Sequence, residues 1–106
     1  MAAQHQQDIA VNGILLSNTR QVVEVNHIPI TLTGTEFSVL RLLMLQAGNL
    51  VTKEDISQKA LGKKLMAFDR SIDMHVSTLR KKIAVIASDE KIRTIRGAGY
   101  LMKVSP

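Results

Sequence analysis

The chain contains no cysteine and no tryptophan. Without cysteine there can be no disulfide framework, no thiolate nucleophile and no cysteine-ligated zinc site, which agrees with a cytosolic, cytoplasmic setting. Aromatic residues make up 3% of the chain, too few for a surface that holds single-stranded nucleic acid by stacking. No apolar run approaches the ~20 residues of a membrane span. The opening MAAQHQQDIA lacks the basic and apolar regions of a secretory signal. The three histidines, His5, His27 and His75, are scattered, and none has a second histidine at metal-ligand spacing. With no His–carboxylate cluster and no phosphate loop, the sequence predicts neither an enzyme nor a cofactor or metal site.

What is present fits one globular domain. Among 106 residues, 45% are hydrophobic and 22% charged, enough for a single modest core. The net charge of +5 is unevenly spread. Residues 1–52 hold two cations and three anions, and residues 53–68 hold four cations and two anions. Residues 69–106 hold eight cations (Arg70, Arg80, Lys81, Lys82, Lys91, Arg93, Arg96, Lys103) against four anions. Polyanions are the natural partner class for such a half. An acidic membrane surface fits less well, because the basic stretch lacks Trp and Phe anchors.

That basic half begins with DRSIDMHVSTLRKKIAVI, residues 69–86. Ile72, Val76, Leu79, Ile83 and Ile86 recur at steps of four and three, so they form one apolar stripe of a helix. Arg70, Met74, Ser77 and Lys81 lie opposite, with Ser71 and Thr78 beside them. His75 and Lys82 flank one edge, and Asp73 and Arg80 the other. Such a face suits a DNA major groove: cations for phosphates, short polar or apolar side chains for base edges. A solvated outer face is the alternative, in which His75 is a surface histidine and Asp73 pairs with Arg70 or Lys81.

Residues 1–7 read as a frayed tail or linker remnant. Residues 8–32 carry short apolar clusters separated by Asn12-Gly13, Ser17-Asn18 and Asn26-His27, which predicts an antiparallel sheet of three or four strands with Pro29 near a strand start or edge. Thr33-Gly34-Thr35-Glu36 has capping-box spacing and predicts a helix to about Gln46, stopped by Gly48-Asn49. Leu50-Val51 is long enough only for a bridging strand. Thr52 then caps a second helix to about Ala60. Residues 61–68, LGKKLMAF, read as a loop whose Leu65, Met66 and Phe68 are either tucked under it or offered to a partner. Residues 87–91 form a turn. Ile92–Arg96 and Tyr100–Val104 then flank Gly97-Ala98-Gly99 as a hairpin. With Arg93 and Arg96 near its tip, this hairpin after a basic helix is the wing of a winged helix-turn-helix.

The runs LTGTEFSVLRLL, VTKEDI, DRSIDMHVSTLRKKI and IRTIRGAGYLM occur in the order and spacing of the OmpR/PhoB-type response-regulator output domain, which residues 9–104 resemble. The loop LGKKLMAFDR looks most like the CpxR branch of that family. The resemblance implies an α+β winged helix-turn-helix over residues 8–106: an N-terminal antiparallel sheet, three helices and a hairpin paired with a bridging strand. It implies sequence-specific binding of double-stranded DNA in transcriptional control by a two-component system. Arg70, Ser71, His75 and Arg80 match phosphate-contacting positions, and Lys81 and Lys82 are further DNA-binding candidates on the same helix. Asp73, Met74, Ser77 and Thr78 match base-approaching ones, and Thr94 and Arg96 match wing contacts. Many members place arginine where Ser77 and Thr78 stand, so bidentate guanine reading is not available from those two. Lys63, Lys64, Leu65 and Met66 match a segment that contacts RNA polymerase. The resemblance further implies a monomer that pairs on direct-repeat half-sites, and an upstream receiver domain that this chain does not contain. A protein–protein winged helix and a non-specific nucleic-acid binder are the rival functions.

Overall fold

The computed structural model describes residues 8–64 and 70–105. The expected tail, and Leu65, Met66, Phe68 and Asp69, lie outside the described residues. Residues 9–30 form four antiparallel strands in sequential order: β1 (Ile9–Val11), β2 (Ile14–Ser17), β3 (Val22–Val25) and β4 (Ile28–Ile30). Alternation places Ile14, Leu16, Val23 and Val25 in the core while Leu15 and Val22 face outward. Both two-residue turns use left-handed backbone, at Asn12-Gly13 (φ 51° and 80°) and Asn26-His27 (φ 49° and 68°), the geometry that matches strand twist. Pro29 sits in edge strand β4, where its missing N–H is harmless. The β2–β3 turn covers residues 18–21 rather than Ser17-Asn18, because Ser17 completes β2 and its Oγ accepts from the Arg20 N–H at 3.3 Å.

The capping box at α1 (Gly34–Leu45) is present as the sequence predicts. Thr33 Oγ1 accepts from the Glu36 N–H at 3.1 Å, and Glu36 Oε1 accepts from the Thr33 N–H at 3.0 Å. Phe37, Val39, Leu40, Leu43 and Met44 are buried. Gly48 turns the chain at φ 85° and donates to the Met102 carbonyl at 2.8 Å.

Strand β5 (Val51–Thr52) lies one residue later than expected, with Leu50 half exposed before it. Thr52 caps α2 (Lys53–Asp55), accepting from the Asp55 N–H at 3.1 Å. The expected single α-helix to Ala60 instead widens into a π-helical turn over Ile56–Ala60. There the buried Ser57 donates its hydroxyl to the Lys63 carbonyl at 2.7 Å, outside its own helix, and folds the following loop back on the turn.

Helix α3 (Ser71–Ala84) buries Ile72, Val76, Leu79 and Ile83. Ile86, the expected fifth member of the stripe, lies beyond the helix end, where Ile86 and Ala87 both donate to the Ile83 carbonyl at 3.0 and 2.9 Å. The hairpin is β6 (Ile92–Ile95) and β7 (Gly99–Met102), joined by Arg96-Gly97-Ala98. The loop is shifted one residue from the Gly-Ala-Gly reading because Gly99 belongs to a strand. A Cβ there would stand 2.1 Å from the Val51 carbonyl oxygen, so glycine is what lets β5 approach β7. The second sheet has the order β5-β7-β6, and both sheets and the helices share one apolar core. This is the α+β winged helix-turn-helix expected from the sequence.

Candidate nucleic-acid interface

Four sides of α3 have four different surroundings. The Ile72–Val76–Leu79–Ile83 stripe is in the core. On the far side Arg70, Met74, Ser77, Thr78 and Lys81 are exposed, Met74 to 67%. At the helical step of 100° these five positions fall within an arc of about 100°. They form one open, exposed face.

The edge toward the wing is occupied. Lys53 Nζ lies 3.1 and 3.2 Å from the two carboxylate oxygens of Asp73, and the Tyr100 hydroxyl donates a short hydrogen bond to Oδ1 of that carboxylate. One turn pair further, Arg80 donates to the Ile92 carbonyl at 3.2 Å and to Thr94 Oγ1 at 2.7 Å, and its guanidinium lies 5.5 Å above the centre of the Tyr100 ring. Asp73 and Arg80 therefore clamp α3 to β6 and β7. The ion pair differs from the sequence expectation: Asp73 pairs with Lys53 and Tyr100, not with Arg70 or Lys81. The Asp73 side chain stays 41% exposed, and Arg80 places two of its five N–H donors on the wing. Thr94 accepts from Arg80 and keeps its own O–H as a donor toward solvent.

The opposite edge is tied to α1. Lys82 Nζ lies 2.6 Å from Glu36 Oε1, with the Glu36 side chain only 6% exposed. Lys82, a DNA-binding candidate from the sequence, is the counter-charge of a buried carboxylate, and its own side chain is 34% exposed. His75 and Ser71 are half-buried on the same side of the face.

The electrostatics follow from these contacts. The Tyr100 hydroxyl, opposed by burial and helped by Lys53, holds Asp73 below the usual carboxylate range. Burial first, then the bond to Asp73, pushes the Tyr100 hydroxyl up to about 12. Burial alone would raise Glu36, but hydrogen bonds from Lys82 and the Thr33 N–H outweigh it and lower the pKa. Asp73 and Glu36 are fixed charges at neutral pH.

On the wing, Arg93, Thr94 and Arg96 are exposed, Arg96 at the loop. Arg93 is not among the site residues that the sequence predicts, although its place in the hairpin next to Thr94 is a signal for it. Lys91, counted among the cations of this half, is buried against Asp89 at 2.9 Å and Asn12 at 3.2 Å, so it adds nothing to the outer surface. Lys63 and Lys64 are exposed on the 61–64 loop, away from the open face of α3 in sequence, while Leu65 and Met66 lie outside the described residues. Among the described residues no cluster of His, Cys, Asp and Glu could hold a metal, and no helix is long and apolar enough to cross a membrane.

Residues 26–102 match the family model described as "Transcriptional regulatory protein, C terminal". The chain is 42% identical over 99 residues to the transcriptional regulatory protein CpxR of Escherichia coli K12, covering 89% of this chain and 41% of that protein. It thus spans about two-fifths of the relative's length. The crystal structure of the DNA-binding domain of Escherichia coli CpxR superposes with a TM-score of 0.83 at 39% identity, covering 92% of this chain and 97% of that one. The Klebsiella pneumoniae RstA DNA-binding domain, solved in complex with the RstA box, gives a TM-score of 0.82 at 26% identity over 92% of this chain and 97% of that one.

Proposed function

The chain belongs to the family of C-terminal domains of transcriptional regulatory proteins, of OmpR/PhoB type, and on that premise we propose that it binds double-stranded DNA sequence-specifically as the output domain of a two-component response regulator. In this reading α3 enters the major groove and the wing follows the adjacent minor groove. The observation that carries it is the open arc of α3, Arg70, Met74, Ser77, Thr78 and Lys81, set beside the exposed Arg93 and Arg96 by the Arg80 and Asp73 clamps. Within the arc Arg70 and Lys81 stand eleven residues apart, about 16 Å along the helix. The groove they would bracket is about 12 Å wide, so both reach flanking phosphates while the residues between face base edges.

The finer parts of the proposal rest on the family. Two copies bind direct-repeat half-sites about one helical turn apart, ~10–11 bp centre to centre, and the domain alone is a monomer. The loop at 61–68 touches RNA polymerase, with Lys63, Lys64, Leu65 and Met66 as its contact residues. A regulator of this kind works at the genome, in the cytoplasm. His75, half-buried, and Thr94, exposed, donate to phosphates beside the arc; the Ser71 hydroxyl oxygen is buried, so its phosphate contact rests on the family pattern alone.

The test is a duplex selected from a randomised pool, then a salt titration of binding to that duplex and to a scrambled one. Specific binding gives a steep log K against log salt slope on the selected duplex and at least ~10³-fold weaker binding to the scrambled one. Equal affinity for both would leave only a non-specific binder. Replacing Lys64 by Ala is expected to lower transcription activation and leave DNA affinity unchanged; equal losses in both assays remove the polymerase assignment.

A further inference from the structure

We propose that Met74 is an oxidation switch: a peroxide converts its thioether to the sulfoxide, and the oxidised face of α3 loses its hold on DNA until a sulfoxide reductase restores it. The inference rests on the DNA-binding reading above and adds a means by which that binding is turned off.

Sulfur reacts where an oxidant can reach it. The chain has no cysteine, so its five methionines hold all of its sulfur. Met44 and Met102 are 2% and 0% exposed and belong to the core. Met1 and Met66 lie outside the described residues. Met74 is 67% exposed, with Arg70 one turn before it and Thr78 one turn after, both exposed as well. A thioether is usually put to use filling gaps in a core. Here it stands in water, on a face otherwise made of cations and hydroxyls.

A lone pair of the sulfur attacks one oxygen of hydrogen peroxide. An S–O bond forms and the O–O bond breaks; the sulfur gives up two electrons, and the second oxygen leaves as water after proton transfer. The product is polar and chiral, and sulfoxide reductases return it to the thioether. The fold loses little, because Met74 is not a core residue. Binding loses more: a flexible apolar side chain becomes a polar one whose oxygen carries partial negative charge, on the face that meets a polyanion. Binding in turn covers the sulfur, so duplex and peroxide compete for one side chain. The switch therefore acts on unbound protein and keeps it unbound.

The experiment treats the chain with hydrogen peroxide, alone and with the selected duplex, and follows oxygen uptake by mass spectrometry of tryptic peptides. Cleavage after lysine and arginine places Met74 in residues 71–80, Met44 in 42–53 and Met102 in 97–103, one methionine in each. Without DNA the 71–80 peptide is expected to gain one oxygen at least ~10-fold faster than the other two, since susceptibility follows exposure. The duplex is expected to slow that gain. Affinity for the selected duplex is expected to fall at least ~4-fold, the worth of one buried CH₂. It recovers with methionine sulfoxide reductase, and the oxidised protein keeps the melting temperature of the parent. Met74→Leu has no sulfur at this position, and its affinity, whatever its starting value, is expected to be the same before and after peroxide. Equal oxidation of Met74, Met44 and Met102, or an unchanged affinity once Met74 is fully oxidised, would overturn the switch while DNA recognition stands. So would a Met74→Leu protein that loses affinity to peroxide as the parent does, since another methionine would then carry the effect. A parent that fails to distinguish selected from scrambled duplex before any peroxide would overturn the DNA-binding reading, and the switch with it.

Discussion

The wing-side edge of α3 and its outer face are built from the same residue types and do opposite things. On the edge, Asp73 and Arg80 are bound within the domain to Lys53, Tyr100, Ile92 and Thr94. On the face, Arg70 and Lys81 are exposed, and no acidic group among the described residues lies within ion-pair distance of either. Eight cations in residues 69–106 suggest a strongly basic surface. Three of them, Arg80, Lys82 and Lys91, are spent on holding elements together. The difference teaches that a charge count bounds the partner class but overstates the contacts; which cations are outward is decided by where the neighbouring elements lie.

Substitutions on the two regions should therefore separate stability from binding. The largest effect is expected from Lys82→Ala, which strands the buried Glu36 carboxylate and lowers unfolding free energy by about 2–3 kcal/mol in urea melts. Lys82→Ala that melts like the parent would mean the pair is a surface contact of no consequence. Arg80→Ala comes next: loss of two hydrogen bonds and the ring contact costs roughly 1–2 kcal/mol. It also weakens DNA binding by releasing the wing, without a lower salt slope of its own. A salt slope reduced by a full phosphate contact would return Arg80 to the DNA.

Smaller still on stability, and sharper on binding, are Lys81→Ala and Arg96→Ala. Each is expected to stay within about 0.5 kcal/mol of the parent in stability. Each should flatten the log K against log salt slope by ~0.9. An unchanged slope for both would place them off the DNA.

The comparison also has a pH signature. Glu36 and Asp73 have lowered pKa values, so their pairs stabilise the fold above the ordinary carboxylate range and lose that contribution as pH falls through the folded values below it. Tyr100 works at the other end. Its pKa is raised to about 12, so its share of stability is intact below the unfolded tyrosine value and is lost as pH climbs toward the folded one. It is the one tyrosine of the chain, and tyrosinate absorbance reads it directly. A midpoint at the ordinary tyrosine value would mean the Asp73 bond does not form in solution.

Much of the fold was legible because local rules decide it. The 3.6-residue stripe, the Thr33–Glu36 box, the Thr52 cap and the Asn-Gly turn each depend on residues a few positions apart. The exposed arc of α3 was legible for the same reason, since it is the complement of the stripe. What the residues alone did not give was the fate of the flanking charges. Asp73 meets Lys53 from 20 positions away, and Lys82 meets Glu36 from 46. No periodicity carries such pairings. The shift of the wing loop escaped for a related reason: Gly99 looks like a turn residue, and only the closeness of Val51 shows that it serves a strand.

One contact links the beginning of the domain to its end. The Asn12 side-chain amide donates to the Lys103 carbonyl at 3.1 Å, across 91 positions of sequence, while its oxygen accepts from the buried Lys91 ammonium. During synthesis at ~5–20 residues per second, the first hairpin must wait roughly 5–20 s before its partner leaves the ribosome. A hairpin forms in ~1–10 μs, so the β1–β2 turn has its own shape long before it has this anchor. The nascent domain therefore passes through an interval in which the β1–β2 turn is formed while Lys91 and Lys103, the residues that anchor Asn12, are still to be made.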